Sequence, residues 1–518
     1  MKKPLFFLIL LTMTLSFQGL IAQEKTTVVV KQAENAPVIS KHIYGHFAEH
    51  LGRCIYGGFY VGEDSAIPNT AGVRNDVVEA LRDLKIPNLR WPGGCFADTY
   101  HWKDGIGPRE ERPSILNIWW GNVREDNSFG THEFLNMCEL LETEPYLSAN
   151  VGSGTPQEFA DWIKYTNHPA GSSPMPELRE ENGRKDPWKV KFWGVGNEAW
   201  GCGGNMTPQY YSDVYRRFAT FSTDWRNSDG LVRIASGASS HDYNWTEVLM
   251  KNIPKNLIEA IALHHYSVID WGAKGPAKDF TEEHYFTTMK RALEMEELVR
   301  KHVAIMDKYD KDKKVALFVD EWGGWYDVEP GTNPGFLYQQ NTMRDAMIAG
   351  TTLNTFNNHA DRVKMANLAQ AVNVLQAVIL TEEEKMILTP TYHVMKMYNV
   401  HQEAKLIPTK LESPKYSYEG ESLPALSLSA SQDKQGKVHF SFVNIDAHKT
   451  HTIELDLSGL DIKKVTGKIL RSDKLQDHNS FDNPDKVKPS AFKDFGLKSG
   501  RLLISVPPFS VVVLEGTK

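Results

Sequence analysis

The chain has 518 residues, more than a single ordinary core holds, and its composition, 41% hydrophobic and 24% charged, is that of a soluble globular protein. The net charge of −7 is modest for this length and gives no indication of nucleic acid as a partner. A barrel of roughly 250 to 400 residues followed by one smaller domain fits the length best.

The N-terminus has the pattern of a secretory signal. Lys2 and Lys3 precede an apolar run over 5–15 that is too short to span a bilayer, and Ala22 offers a small residue for cleavage. We therefore expect residues 1–22 to be a signal peptide and the protein to be periplasmic or extracellular. The alternative is an uncleaved N-terminal anchor, and we expect no transmembrane segment.

A short β-prone strand over 26–30 is followed, from about residue 42, by alternating strand-like and helix-like segments. This alternation is typical of a parallel α/β sheet. The eight candidate strands span 43–47, 88–91, 146–151, 191–195, 232–236, 258–264, 315–320 and 363–368. Because eight strands are what a closed barrel needs, we predict a (β/α)8 TIM barrel over residues 41–390.

Helix starts are marked by capping residues. Thr155 and Glu158 form a capping box with Pro156 at the first helical position, and Thr207 with Pro208 opens another helix. Apolar residues then recur at helical spacing, and we expect them to pack against the barrel wall.

The pattern changes after residue 390. Short β-prone runs over 425–428, 438–443, 450–457, 466–472 and 502–514 are separated by Gly, Asp, Asn, Ser and Lys. Such spacing predicts an antiparallel β-sandwich, jelly-roll-like, over residues 391–518.

Two glutamates stand where a strand runs into a loop. Glu198 follows F-W-G-V-G-N and Glu321 follows L-F-V-D, and tryptophan and glycine flank both. Cleavage of a glycosidic bond needs one protonated carboxyl group and one ionised carboxyl group, and a barrel brings strand ends together. Both are therefore catalytic candidates, although each alone is also typical of a salt-bridged strand end.

Neighbouring motifs offer supporting groups. Asn197 can hydrogen-bond the sugar hydroxyl next to the reacting carbon, and Glu49 at the end of the first strand can accept hydrogen bonds from sugar hydroxyls. Arg90 has two equal interpretations: it holds a neighbouring carboxylate ionised, or it forms a structural ion pair.

The run His264, His265 and Tyr266 invites a metal interpretation. Adjacent residues of a strand point to opposite faces, so the two histidines cannot easily share an ion. We favour His264 and Tyr266 in a sugar site and expect no metal and no cofactor. Cys95 and Cys202 are best interpreted as small packed residues, while the four cysteines of the chain permit one disulfide without requiring it.

Together these motifs resemble the α-L-arabinofuranosidases of glycoside hydrolase family 51, from about Thr26 to the C-terminus. The motifs are G-H-F-A-E-H-L, R-W-P-G-G-C-F, D-G-I-G-P, F-G-T-H-E-F, G-V-G-N-E-A-W-G-C-G-G, L-H-H-Y, D-E-W and A-N-L-A-Q-A-V-N-V-L-Q. The resemblance implies a barrel with a C-terminal sandwich into which the N-terminal strand, within residues 23–40, is woven. It also implies homo-oligomers, often hexamers.

The resemblance further implies a retaining, exo-acting enzyme in which Glu198 is the general acid/base and Glu321 the nucleophile. The substrate would be an arabinose-containing oligo- or polysaccharide, such as arabinan or arabinoxylan side chains. The implied sugar-binding residues are Glu49, Cys95, Asn197, Tyr266 and Gln370, with Trp120 towards the leaving group and Phe47 and Trp322 as apolar walls. Many relatives carry Asn in place of Cys95.

Three other functions remain open at this stage. The first is an endo-glucanase or xylan-active hydrolase on the same scaffold, and the second is a carbohydrate-binding protein without catalysis. The third is a metal-dependent hydrolase.

Overall fold

A closed parallel barrel forms the centre of the chain. The computed structural model describes residues 26–30, 35–224 and 230–518. Its eight parallel barrel strands, β1 to β8, pair side by side in chain order. They span Gly45–Phe47, Asn88–Trp91, Glu144–Ala149, Phe192–Val195, Val232–Ser239, Ala260–Ser267, Ala316–Gly324 and Val363–Leu368. Each predicted strand overlaps one of them, so the predicted TIM barrel is confirmed.

Helices cover the outside of the barrel. Within the described ranges they are α1 to α9, at Asn75–Leu84, Thr131–Leu141, Pro156–Asn167, Pro174–Glu181, Pro208–Phe221, Tyr243–Asn252, Glu282–Tyr309, Met343–Asn358 and Pro390–Tyr398. Two begin where predicted, because the hydroxyls of Thr155 and Thr207 accept backbone hydrogen bonds at the starts of α3 and α5. The reciprocal half of the predicted capping box is not formed, because the Glu158 carboxylate contacts His101 Nδ1 at 3.0 Å instead. These caps fix where the chain turns from the loop into the helix.

The barrel interior is apolar at the end where the strands begin and polar at the end where they finish. Phe192, Phe318 and Met365, which lie early in their strands, form a small buried apolar cluster inside the barrel. A much larger apolar core lies between the strands and the helices. The polar residues of the site therefore collect at the other end, where the strands finish.

The C-terminal part contains two facing sheets. One has the strands Thr26–Val29, His451–Asp456, Arg501–Val506 and Phe495–Lys498, and the other has Lys405–Leu406, Leu426–Gln432, Val438–Asn444, Ser510–Thr517, Lys464–Leu470 and Ser490–Ala491. Phe440, Phe442 and Leu455 are buried between them. The predicted antiparallel sandwich is confirmed, with the N-terminal strand added in parallel to His451–Asp456.

One predicted strand of the sandwich is wrong in extent. The run over 502–514 forms two strands, Arg501–Val506 and Ser510–Thr517, which lie in different sheets. Pro507 and Pro508 have no N–H to donate, and Phe509 takes a positive φ of 31°, so the chain turns between the sheets here.

Four two-stranded ribbons complete the part of the fold that the structure describes. They pair Asn69–Thr70 with Val73–Arg74, Ile115–Asn117 with Val123–Glu125, Ile379–Glu382 with Lys385–Leu388, and Lys415–Tyr418 with Glu421–Pro424. Among the described residues, no helix has both the length and the apolar character needed to cross a membrane. The expected domain boundaries at residues 22, 40 and 390 stay predictions, and the expected signal peptide lies outside the described residues.

We expect Phe440→Ala to destabilise the sandwich by about 3–5 kcal/mol, because the ring is fully buried and its removal leaves a cavity. The measurement is the midpoint of denaturant unfolding. Leu503→Ala, at a position 41% exposed in the facing sheet, is the matched control and should change stability by about 0.5 kcal/mol or less. Equal losses in both variants would contradict this account of the core.

Candidate active site

A cavity of about 100 Å³ opens where the barrel strands end. Nine of the predicted site residues line it: Phe47, Glu49, Cys95, Trp120, Asn197, Glu198, Tyr266, Glu321 and Gln370. These residues come from widely separated parts of the sequence, and the barrel brings them together because parallel strands finish at the same end.

Arg90 is the buried cation of the site. Its Nη1 donates to Glu321 Oε1 at 2.8 Å and its Nη2 donates to Asn197 Oδ1 at 2.6 Å. Burial lowers the pKa of this guanidinium, but the charges of Asp320 and Glu321 outweigh that effect and raise it above its ordinary value. Of the two interpretations of Arg90, the geometry shows a permanent cation that holds one of the candidate carboxylates.

Tyr266 supplies a second donor to the same carboxylate. Its hydroxyl donates to Glu321 Oε2 at 2.8 Å, so each oxygen of Glu321 accepts one of these two hydrogen bonds. A carboxylate held on both sides has a fixed orientation, which is what attack on a defined carbon requires.

His264 lies between three carboxylates. Its Nδ1 is 2.9 Å from Glu198 Oε1 and 3.4 Å from Glu321 Oε2, and its Nε2 is 3.1 Å from Asp320 Oδ1. Burial lowers the pKa of His264, but these carboxylates outweigh that effect and raise it to about 10. The imidazole is therefore a second buried cation.

The electrostatics of Glu198 favour its protonated form. Burial raises the pKa of Glu198 above its ordinary value, the hydrogen bond to His264 opposes this, and the charge of Glu321 raises it further. A carboxyl group with a raised pKa can carry the proton that a leaving oxygen needs.

The backbone at Glu198 is strained. Its φ is +40°, a value rarely adopted by residues other than glycine. Gly201 and Gly203 donate their N–H groups to the Glu198 carbonyl at 2.7 and 3.1 Å, and Ala199 N donates to the Ser236 hydroxyl at 3.0 Å. These contacts hold a conformation that the chain would otherwise avoid.

Asp320, which was not predicted as a site residue, also turns towards the barrel interior. Its Oδ2 accepts a hydrogen bond from the Tyr146 hydroxyl at 2.7 Å. Consecutive strand residues normally face opposite sides, but the pairing of β7 with β6 and with β8 shifts register at this point. The irregularity explains how Asp320 and Glu321 both reach His264.

Glu49 also lines the cavity and accepts several hydrogen bonds there. Its Oε1 accepts from Phe96 N at 3.0 Å and Trp120 Nε1 at 2.9 Å, and its Oε2 accepts from Gln370 Nε2 at 3.1 Å. Burial raises the pKa of Glu49 to about 7 against these hydrogen bonds. A Cβ at Gly94 would lie 2.7 Å from both carboxylate oxygens, so the glycine lets the loop approach Glu49.

Cys95 and Cys202 form a disulfide, which corrects the expectation that they are simply packed residues. The bridge joins the loop after β2 to the loop after β4, and Cys202 Sγ lies 3.6 Å from Glu198 Oε2. Sequence could not show the pairing, because it depends on a Cα separation of 5.4 Å between residues 107 apart in the chain.

Trp322 lies outside the cavity. It is 1% exposed and packs edge-on against Phe356 of α8 at 5.6 Å, because strand alternation turns it away from Glu321. Trp325, three residues further on, lines the cavity instead.

Asp98 is a further residue that the sequence reasoning missed. Its carboxylate accepts from the backbone N–H groups of Val151, Gly152 and Asn197 at 2.7 to 2.9 Å, and so positions the loop that carries Glu198. The only available signal was an acidic residue just after the glycine-rich R-W-P-G-G-C-F motif.

Two groups of side chains in the described ranges have donor atoms close enough for a metal: Glu198, His264 and Glu321, and Cys95, Glu198 and Cys202. In the first group hydrogen bonds already join His264 to carboxylates, and in the second the two sulfurs are bonded to each other. The expectation of no metal and no cofactor stays a prediction.

Comparison with known proteins decides the family. Residues 80–296 match the family model for the α-L-arabinofuranosidase 1 domain, and residues 320–510 match that for the α-L-arabinofuranosidase C-terminal domain. An intracellular exo-α-L-arabinofuranosidase of Bacteroides ovatus is 52% identical over 96% of each chain. The chain belongs to the α-L-arabinofuranosidases of glycoside hydrolase family 51.

Solved structures agree with this assignment. The enzyme superposes on the family 51 arabinofuranosidase of Xanthomonas axonopodis pv. citri with a TM-score of 0.93 at 45% identity, covering 95% of this chain and 100% of that one. For the α-L-arabinofuranosidase of Thermotoga maritima in complex with arabinose, the TM-score is 0.81 at 31% identity, with the same coverage. The protein described here is therefore an exo-acting glycoside hydrolase. None of these comparisons favours the non-catalytic or metal-dependent alternatives.

The expectation of export is wrong. The Bacteroides ovatus relative, which matches 96% of this chain, is named as an intracellular enzyme. The basic start and the apolar run over 5–15, on which the expectation rested, lie outside the described residues.

We expect Arg90→Lys to lower kcat/KM at least about 100-fold, because a lysine cannot hold Glu321 and Asn197 together and leaves a buried carboxylate poorly paired. The assay is hydrolysis of an aryl α-L-arabinofuranoside. Arg233→Lys is the matched control, since Arg233 forms a two-pronged pair with Glu259 away from the cavity. The role given to Arg90 fails if both variants keep activity within about twofold of wild type.

Proposed function

We propose that this arabinofuranosidase retains anomeric configuration by double displacement, with Glu321 as nucleophile and Glu198 as general acid/base. The observation that carries the proposal is the proximity of the two groups, since a carboxylate oxygen of Glu198 lies within 4.8 Å of one of Glu321. Retaining enzymes place the carboxyl groups roughly 5 to 5.5 Å apart, whereas inverting enzymes leave roughly 6.5 to 9.5 Å for a water.

In the first step Glu321 attacks the anomeric carbon while Glu198 donates its proton to the glycosidic oxygen. The carbon–oxygen bond breaks, the leaving sugar departs as an alcohol, and an arabinosyl ester forms on Glu321. Arg90 and Tyr266 orient the attacking carboxylate through the hydrogen bonds to its two oxygens.

In the second step Glu198, now ionised, removes a proton from water. The hydroxide attacks the anomeric carbon from the opposite face, arabinose is released, and Glu321 regains its charge. His264, within 2.9 Å of Glu198, stabilises the ionised form of that group between the two steps.

The cavity fits a terminal arabinofuranose. Its volume of about 100 Å³ is well below the ~300–1,000 Å³ of pockets for drug-sized ligands, so it suits one sugar ring. Glu49, Asn197 and Gln370 offer polar atoms to the hydroxyls of that ring, and Phe47 and Trp120 offer apolar surface. We propose side chains of arabinan or arabinoxylan as substrates. The homo-oligomer, a hexamer by family resemblance, stays a prediction that sedimentation velocity would test.

Azide separates the two roles. With Glu198→Ala, azide should attack the covalent intermediate and give the α-arabinosyl azide; with Glu321→Ala, it should displace the leaving group directly and give the β-arabinosyl azide. The measurement is the anomeric configuration of the product formed from an aryl α-L-arabinofuranoside. The same anomer from both variants would exclude this division of roles.

We expect kcat/KM to fall on the basic side as the pH rises through the raised pKa of Glu198, because the acid must be protonated to act. The midpoint of this fall should lie at a higher pH than the ordinary pKa of a glutamate side chain, which is roughly 4.3. Glu198→Ala, assayed with a dinitrophenyl leaving group that needs no proton, should lose this basic limb. If the limb persists in that variant, another group provides the proton.

A further inference from the structure

A row of aromatic side chains leads outward from the proposed nucleophile. Tyr266, which donates to Glu321, contacts the ring of Trp325 at a centroid distance of 5.1 Å. The ring of Trp325 in turn contacts that of Trp271 at 5.3 Å. The first two rings line the cavity and the third lies beyond it.

Trp271 is unusually open to solvent. At 61% exposure it is the most exposed of the large hydrophobic side chains in the described part of the chain. A single exposed apolar residue needs no explanation by itself. This one, however, touches the cavity-lining ring of Trp325 and so extends the aromatic wall of the active-site cavity outward.

Hydrogen bonds fix the backbone of the loop between β6 and α7, which carries Trp271. Asp270 Oδ1 accepts from Gly272 N at 2.7 Å, and Lys274 Nζ donates to the Trp271 carbonyl at 3.1 Å. A hydrogen bond of 2.9 Å from Asp327 N to the Gly275 carbonyl ties this loop to the segment that follows Trp325. A loop whose backbone is already fixed loses little freedom when one of its side chains binds a ligand.

We propose that Trp271 is an outer sugar-binding site that takes the second sugar ring of the leaving group. The inference depends on the proposed function, in which the arabinofuranose to be released lies between Glu198 and Glu321. The first leaving-group ring then lies beside Trp325, and the next ring packs its C–H face on the indole of Trp271. Asp270 and Lys274 provide the polar rim that sugar hydroxyls need.

Substrates of increasing length test the site. The assay is kcat/KM on an aryl α-L-arabinofuranoside, on α-1,5-arabinobiose with one leaving-group ring, and on α-1,5-arabinotriose with two. We expect Trp271→Ala to lower kcat/KM on the trisaccharide about two- to tenfold, the size of one aromatic contact. Activity on the aryl substrate and the disaccharide should stay within about twofold of wild type, and Trp271→Phe should restore most of the loss.

Phe221→Ala is the matched control, because Phe221 is 59% exposed on α5 and outside the cavity. It should leave all three substrates unaffected. An equal loss on all three substrates with Trp271→Ala would overturn the outer site in favour of a role in positioning Trp325, and no loss on the trisaccharide would overturn it outright. If azide gives the same anomer with Glu198→Ala and Glu321→Ala, the proposed function itself fails, which is a separate outcome.

Discussion

The active end of the barrel depends on the neutralisation of buried negative charge. The carboxyl groups of Glu198, Asp320 and Glu321 lie around one imidazole, and those of Asp320 and Glu321 are almost fully buried there. Buried charges persist only when they are paired and hydrogen-bonded. Arg90 and His264 supply the two positive charges, and without them the carboxylates could not occupy the same small volume.

The rest of the fold can be understood as support for that charge cluster. An apolar layer inside the barrel includes Phe192 and Phe318, residues that lie before the site in their strands. The register shifts of β7 bring Asp320 and Glu321 to the same side. The carboxylate of Asp98 and the disulfide at Cys202 then fix the loop that presents Glu198.

Much of this architecture could be predicted from sequence, because barrel strands and sandwich strands differ in their spacing and in what separates them. Glu198 and Glu321 were recognisable since each follows a short apolar, β-prone run and has glycine and tryptophan nearby. Residues that act only through contacts with distant parts of the chain could not be recognised as site residues from the sequence. Asp98 acts only through backbone groups of distant loops, and the partner of Cys95 is 107 residues away.

Two predictions were wrong because the local path of the chain is not evident from the sequence. The family resemblance implies Trp322 as an apolar wall of the sugar site, whereas strand alternation turns it outward and Trp325 reaches the cavity. The β-prone residues over 502–514 predict one strand, whereas Pro507 and Pro508 divide the run into two strands that lie in different sheets. In both cases the residue types fit the prediction, but the sequence did not show where the chain turns or to which side it turns a side chain.

The positive φ of Glu198 has a consequence for the evolution of this enzyme. A glutamate there costs conformational energy that a glycine would not, and its carboxyl group adds to a crowded acidic cluster. A glycine at this position would relieve that strain. Selection for stability alone would favour glycine here, so the glutamate has to be maintained by a need for its carboxyl group, which the proposed acid/base role supplies.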